Sequence, residues 1–197
     1  MDFKDTPELA DFRCAVKAWL DANAIRRTDK RHMGMDGDQP FREAKVWYKE
    51  KANAGFACLT WPTEYGGAGL TPVHEVVWQQ EVENYLTRDT QFVIGIGNCG
   101  PAIMHFANED AKRELLPRMA SAEDVWCQLF SEPGAGSDVA GLRTRAEADG
   151  DNWRINGQKI WTSGAQYSDY GVVLTRTDPT VSKYRGLTMF MIDMRQS

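Results

Sequence analysis

Apolar side chains return at helical spacing through the first 120 residues. Leu9, Phe12, Val16, Trp19 and Leu20 fall at i, i+3, i+7, i+10 and i+11, one stripe of a helix. Thr6 followed by Pro7 supplies an N-cap and a first-turn proline. A second helix is predicted over about 41–53, with Phe41, Ala44, Trp47 and Tyr48 inward and Gly55 just past its end. A third opens at Thr71-Pro72 and is predicted to reach about Leu86, with Val73, Val76, Val77, Gln80 and Tyr85 inward. Residues 91–106 are apolar and read as buried. Asn108 then caps a short helix carrying Ala111, Leu115 and Leu116, which Pro117 is expected to end.

The period changes near Val125. Val125 to Phe130 is a compact run with aromatics and no helical spacing, so a strand is predicted. Asp149-Gly150 and Asn156-Gly157 are hairpin signals flanked by short apolar segments. Trp153–Ile155, Lys159–Trp161, Tyr170–Thr175 and Gly186–Ile192 complete a strand-rich region. Helices followed by strands, without βαβ alternation, give an α+β fold class. The expected units are an N-terminal all-α domain, residues 1–122, and an incomplete antiparallel β-barrel or β-sandwich, residues 123–197. The sequence stops at Ser197 straight after an apolar strand. Five or so strands with open edges make a poor stand-alone sheet, so the expectation is a fragment or a chain completed by another.

Composition narrows the function classes. The chain has 197 residues, enough for one or two domains that bury roughly 70% of the unfolded surface without disulfide or metal. Apolar residues at 42% and charged residues at 26% are ordinary globular values, which excludes wholesale disorder. A net charge of −5, with no run of four Lys/Arg, argues against nucleic-acid binding. No stretch approaches the length of a membrane-spanning helix, and the acidic start Met1-Asp2-Phe3-Lys4-Asp5 lacks a signal-peptide layout. Cys14, Cys58, Cys99 and Cys127 are far apart, as are His32, His74 and His105, so neither a disulfide framework nor a zinc site is expected. A cytoplasmic setting fits.

Four stretches are candidates for chemistry. Gly95-Ile96-Gly97-Asn98-Cys99-Gly100 has the GxGxxG spacing, but its surroundings lack the long helix and second strand of a dinucleotide fold. Close packing of buried elements explains it better. Tyr65-Gly66-Gly67-Ala68-Gly69 reads as a turn-rich corner whose glycines permit positive φ. Ser131 to Asp138 (SEPGAGSD) follows a strand, and its small residues let backbone N–H groups converge on an anion, with Ser137 adding a hydroxyl. There is no GxSxG elbow and no His downstream of these serines, which disfavours a serine hydrolase. Glu132 and Asp138 are more simply loop acids that cap or pair. Asn156 to Gly164 (NGQKIWTSG) ends in an indole followed by two hydroxyls, a set able to wall off a flat cofactor and bond its edge. In isolation, each stretch has an ordinary structural explanation.

Together they are specific. The chain resembles the acyl-CoA dehydrogenase family over nearly its whole length. The resemblance includes Trp61-Pro62-Thr63-Glu64-Tyr65-Gly66-Gly67 and Ala107 to Pro117, and is sharpest over Cys127 to Asp138 (CQLFSEPGAGSD) and Asp151 to Gly164 (DNWRINGQKIWTSG). It implies FAD as cofactor, with Gln128, Phe130, Ser131, Gly136, Ser137, Trp161, Thr162 and Ser163 as cofactor-binding residues. Ser131 is expected at the pyrimidine edge, Gly136 and Ser137 at the pyrophosphate, Trp161 beside the ring and Ser163 near N5. Ser137 is also expected to face the acyl-CoA substrate. Many relatives carry Thr where this chain has Ser131 and Ser163, an exchange that keeps the hydroxyl.

The implied reaction is α,β-dehydrogenation of an acyl-CoA thioester, with a carboxylate removing the α proton and hydride passing to the flavin. An electron-transfer flavoprotein is the implied electron acceptor, and a homodimer or homotetramer the implied assembly. The family's catalytic glutamate lies in a C-terminal helical domain that these residues do not include. No catalytic residue is therefore assigned here, and the isolated chain is expected to be inactive and to bind FAD weakly. The alternatives are a flavin oxidase or monooxygenase of the same fold, or a non-catalytic subunit of a heteromeric dehydrogenase.

Overall fold

The computed structural model describes residues 4–27 and 39–195. The reading of Met1–Phe3, of His32 and of Ser197 lies outside the described residues. Helix α1 spans Pro7–Asn23, capped by Thr6, whose hydroxyl accepts the Leu9 N–H at 3.3 Å. Strand β1 (Ile25–Arg26) follows, then α2 (Gln39–Asn53), α3 (Pro72–Val82) and β2 (Tyr85–Leu86), which pairs antiparallel with β1. A π-helical turn, Gly95–Cys99, runs directly into α4 (Gly100–Phe106), and α5 (Glu109–Ala120) completes the helical part. Among the described residues no helix is long and apolar enough to cross a membrane.

The α1 and α2 stripes pack as expected: Val16, Leu20, Ala44 and Tyr48 are buried. Helix α3 differs. It ends at Val82, and its buried residues are His74, Val77 and Trp78, while Val73, Val76 and Gln80 are exposed. Trp78 decides the orientation, because its indole is buried among other aromatic rings, and such ring pairs contribute beyond the area they bury. Its ring packs on Phe56 at 5.5 Å and Trp19 at 6.1 Å. Tyr85 is buried as expected, but from β2, where its hydroxyl donates to Asp21 at 2.6 Å.

Helix α5 begins as read, with Asn108 Oδ1 accepting the Ala111 N–H at 2.8 Å. It does not stop at Pro117 but continues to Ala120. The proline removes one backbone donor, and the helix is held past it by burial of Leu116, Met119 and Ala120 against Trp61, Tyr65 and Ile103. The glycine triplet takes the packing explanation: a Cβ on Gly100 would stand 2.3 Å from the Trp61 ring. No strand runs directly into it, since residues 87–94 carry none, so the dinucleotide context is missing.

Strands β3 (Trp126–Leu129), β4 (Arg145–Asp149), β5 (Asn152–Asn156), β6 (Tyr170–Arg176) and β7 (Leu187–Asp193) form one open sheet. Helices then strands is the α+β order expected. The pairing is mixed where antiparallel was expected. β4–β5 and β6–β7 are antiparallel, but β3 runs parallel to β6, with Trp126 opposite Tyr170 and Leu129 opposite Val173. Parallel pairing requires a long crossover, and residues 130–169 supply it. Asp149-Gly150 makes the predicted β4–β5 turn. Asn156-Gly157 makes no hairpin, and Lys159–Trp161 is not a strand. Trp161 has φ 57°, incompatible with extended pairing, and Ile160 N–H instead donates to Ser131 O at 2.9 Å.

Candidate cofactor site

Side chains alternate across β3. Cys127 and Leu129 turn to Val173, Phe190 and Ile192, while Trp126 turns to the helical core of Trp61, Ile103, Leu116 and Met119. Gln128 and Phe130 follow the Trp126 side, and beyond the end of the helical core that side opens into a cavity of about 330 Å³. Its lining is Ile94, Gln128, Phe130, Ser131, Gly136, Val139, Ile160, Trp161 and Ser163. The volume is at the lower end of the usual range for a small-molecule site, and the mixture of apolar walls with a few amide and hydroxyl groups is typical of one.

Two chain segments build most of the wall. The first leaves β3 and turns back on itself through a two-way backbone bridge between Glu132 and Ala135, at 2.8 and 3.1 Å, which returns Gly136 and Val139 to the cavity. The second is residues 160–163. Its Trp161 holds a left-handed backbone, uncommon for a bulky residue, and leaves the indole 88% exposed at the rim. Among the described residues such an indole has no ring or cation against its face, and backbone strain of this kind clusters at ligand sites. From the helical side, Asn98 Nδ2 donates to Gln128 Oε1 at 3.0 Å, orienting the amide at the cavity wall.

Behind the cavity lies a buried ion pair. Lys159 Nζ donates to Glu132 Oε1 at 2.9 Å and to Phe130 O at 3.0 Å, and both charged side chains are less than a tenth exposed. Glu132 also accepts the Arg143 N–H at 2.6 Å and the Thr144 N–H at 2.9 Å. Burial pushes this carboxyl up, but the Thr144 hydroxyl beside it, the two N–H donors and the Lys159 ammonium outweigh that and bring it to about 2. Asp138 is not its partner; it pairs with Lys183 at 2.8 Å. Among the thiols, burial pushes Cys58 and Cys99 up to about 12, so neither is a thiolate nucleophile at neutral pH.

Six of the eight residues singled out from sequence therefore meet at one cavity: Gln128, Phe130, Ser131, Gly136, Trp161 and Ser163. Ser137 does not line it and is exposed on the adjoining loop. Thr162 is also outside the lining, and its Oγ1 is buried without a hydrogen-bond partner. Sequence reading missed Ile94, Val139 and Ile160, ordinary aliphatics that carry no signal. It also missed the Lys159–Glu132 pair, since an acid and a base that far apart announce no contact.

Residues 6–123 match the model of the acyl-CoA dehydrogenase N-terminal domain, and residues 127–197 that of the acyl-CoA dehydrogenase middle domain. The chain belongs to the acyl-CoA dehydrogenase family. Among its relatives, acyl-CoA dehydrogenase IpdE1 of Mycobacterium tuberculosis is 38% identical over 192 residues, covering 96% of this chain and 50% of that protein. The ChsE4-ChsE5 complex from Mycobacterium tuberculosis is similar in structure, with a TM-score of 0.78 and 28% identity over 99% of this chain and 49% of the other. A glutaryl-CoA dehydrogenase from Mycobacterium smegmatis in complex with FADH2 matches with a TM-score of 0.69 and 25% identity, over 97% of this chain and 46% of that one. The chain spans about half the length of these family members. The family resemblance carried by residues 127–138 and 151–164 is borne out, and so is the order of a helical part before a sheet that does not close.

Proposed function

We propose that the chain carries the flavin-facing half of an FAD-dependent acyl-CoA dehydrogenase. The observation that carries the reading is the meeting, at one cavity, of the Gln128–Ser131 and Ile160–Ser163 arms around an exposed, left-handed Trp161. The residues fit an isoalloxazine: Phe130, Ile94, Val139 and Ile160 give apolar walls, and Gln128, Ser131 and Ser163 give edge partners. Ser137 offers its exposed hydroxyl to the pyrophosphate and the thioester ligand, and Thr162 Oγ1 is an orphaned hydroxyl in the same arm. When bound, the flavin supplies the two-electron redox chemistry.

The chain's own residues bind and orient. The described lining includes no carboxylate, and Glu132 has both oxygens engaged by donors, so neither offers a base to the α proton of a thioester. On this reading the base comes from outside these residues, and in the complete protein electrons pass to an electron-transfer flavoprotein. The test is to titrate FAD into the 197-residue chain, following flavin and tryptophan fluorescence, and to assay dye reduction by acyl-CoA. Saturable but weak FAD uptake without turnover is expected. No uptake refutes the cofactor site, and robust turnover refutes the placement of the base.

A further inference from the structure

The two arms of the cavity are not neighbours in a strand ladder. Residues 157–163 form no strand, and β3 ends at Leu129, before the 130–132 backbone that the second arm meets. Three contacts hold the arms together there: Ile160 N–H to Ser131 O at 2.9 Å, and the Lys159 ammonium to Phe130 O at 3.0 Å and Glu132 Oε1 at 2.9 Å. Lys159 immediately precedes the lining residue Ile160, and its two acceptors flank the lining residue Ser131 in sequence. We propose that Lys159 and Glu132 are positioning residues of the cofactor site, a buried ionic clip that sets the spacing of Phe130 and Ser131 against Trp161 and Ser163.

This rests on the flavin reading of the cavity, and its geometry goes further than that reading requires. A lone buried ammonium or carboxylate is strongly unfavourable, so burial of both is tolerated because they pair with each other and each has further backbone hydrogen-bond partners. Glu132 accepts the Lys159 ammonium and the N–H groups of Arg143 and Thr144, which anchors the clip to the chain entering β4. Lys159 is thereby fixed against two elements, and the lining side chains next to it inherit that fixity. An ion pair serving stability alone could sit anywhere in the interior; this one spans the two arms that, among the described residues, carry the hydroxyl-bearing lining residues Ser131 and Ser163.

Stability and positioning are separated by a neutral pair. Lys159→Met leaves Glu132 buried and unpaired, whereas Glu132→Gln/Lys159→Met removes both charges at the smaller cost of one backbone N–H, of Arg143 or Thr144, left facing the amide NH2. In the full chain, FAD is the probe for binding, and amide hydrogen exchange of Ile160 in the apo chain reports the clip without any cofactor. In Lys159→Met, Ile160 is expected to exchange about tenfold faster or more, with α1 amides less affected, and the FAD Kd to rise about tenfold. In the double variant the Tm is expected to return toward wild type while Ile160 exchange and FAD Kd stay altered. A double variant with wild-type Ile160 protection and wild-type FAD affinity overturns the proposal and makes the pair purely structural. If the wild-type chain takes up no FAD, the flavin reading fails, and Ile160 exchange still decides whether the clip sets the arms.

Discussion

Gly157→Ala tests how tightly the rear of the proposed cofactor site is packed. A Cβ at this position would lie 2.2 Å from Thr144 Oγ1 and 2.6 Å from both Thr144 Cα and Cβ. A change of Thr144 rotamer moves the hydroxyl away but leaves Cα and Cβ in place, so the backbone of one segment must shift. Overpacking of this kind costs about 1–3 kcal/mol. The backbone of Gly157 is outside the left-handed range, so alanine also gains about 0.4–1 kcal/mol by restricting the unfolded chain. The net loss is about 1–2 kcal/mol, a fall in Tm of roughly 2–8 °C for a chain of this size. Thr144 donates its N–H to Glu132, so displacing it also disturbs the ionic clip and should weaken FAD binding. Thermal unfolding followed by circular dichroism is the assay, with Gly134→Ala as control, since a Cβ there meets nothing within 4 Å. Equal Tm values for the two variants would refute the close-approach argument.

Two further outcomes follow from the same site. Glu132 has a folded-state pKa of about 2 against an ordinary value of 4.5. Its contribution is therefore fully present above about pH 4.5 and is lost as pH falls toward about 2, with a ceiling on the order of 3 kcal/mol. Urea unfolding between pH 7 and pH 3 should show a shallower acid loss in Glu132→Gln than in wild type, and parallel slopes would sink the assignment. Trp161→Gly removes a bulky residue from left-handed backbone and exposes no core, so Tm should hold or rise by an amount worth about 1 kcal/mol. FAD affinity should fall about tenfold as the ring loses its stacking partner, on the order of 1 kcal/mol; unchanged affinity in a titration would remove Trp161 from the site.

Much of the helical part was legible because its signals are local. Thr6-Pro7 and Asn108 declare helix starts through their own side chains, and the stripe from Leu9 to Leu20 needs only the period. The misreadings have distant causes. Pro117 sits inside α5, where Ala120 and the Pro117 backbone pack against Gly66, some fifty residues earlier. The α3 face was set by Trp78 meeting Trp19 and Phe56, a preference that a count of apolar positions does not contain. At Asn156-Gly157 the local dipeptide pointed to a turn, but the glycine is there for Thr144. The site divides the same way. Ser131, Trp161 and Ser163 were readable as paired motifs, whereas Ile94, Val139 and Ile160 are ordinary residues given meaning only by the fold.

The parallel pairing of β3 with β6 has a consequence for how the molecule is made. Trp126 finds its ladder partner, Tyr170, about 44 positions later. At a synthesis rate of roughly 5–20 residues per second, β3 leaves the ribosome roughly 2–9 s before that partner exists. The apolar surface already made when β3 emerges is the helical part, against which Trp126 lies beside Trp61, Ile103 and Leu116 in the folded chain. Contacts with the helices are thus expected to precede the β3–β6 ladder in folding, because that ladder must close a loop of 40 residues, 130–169, first.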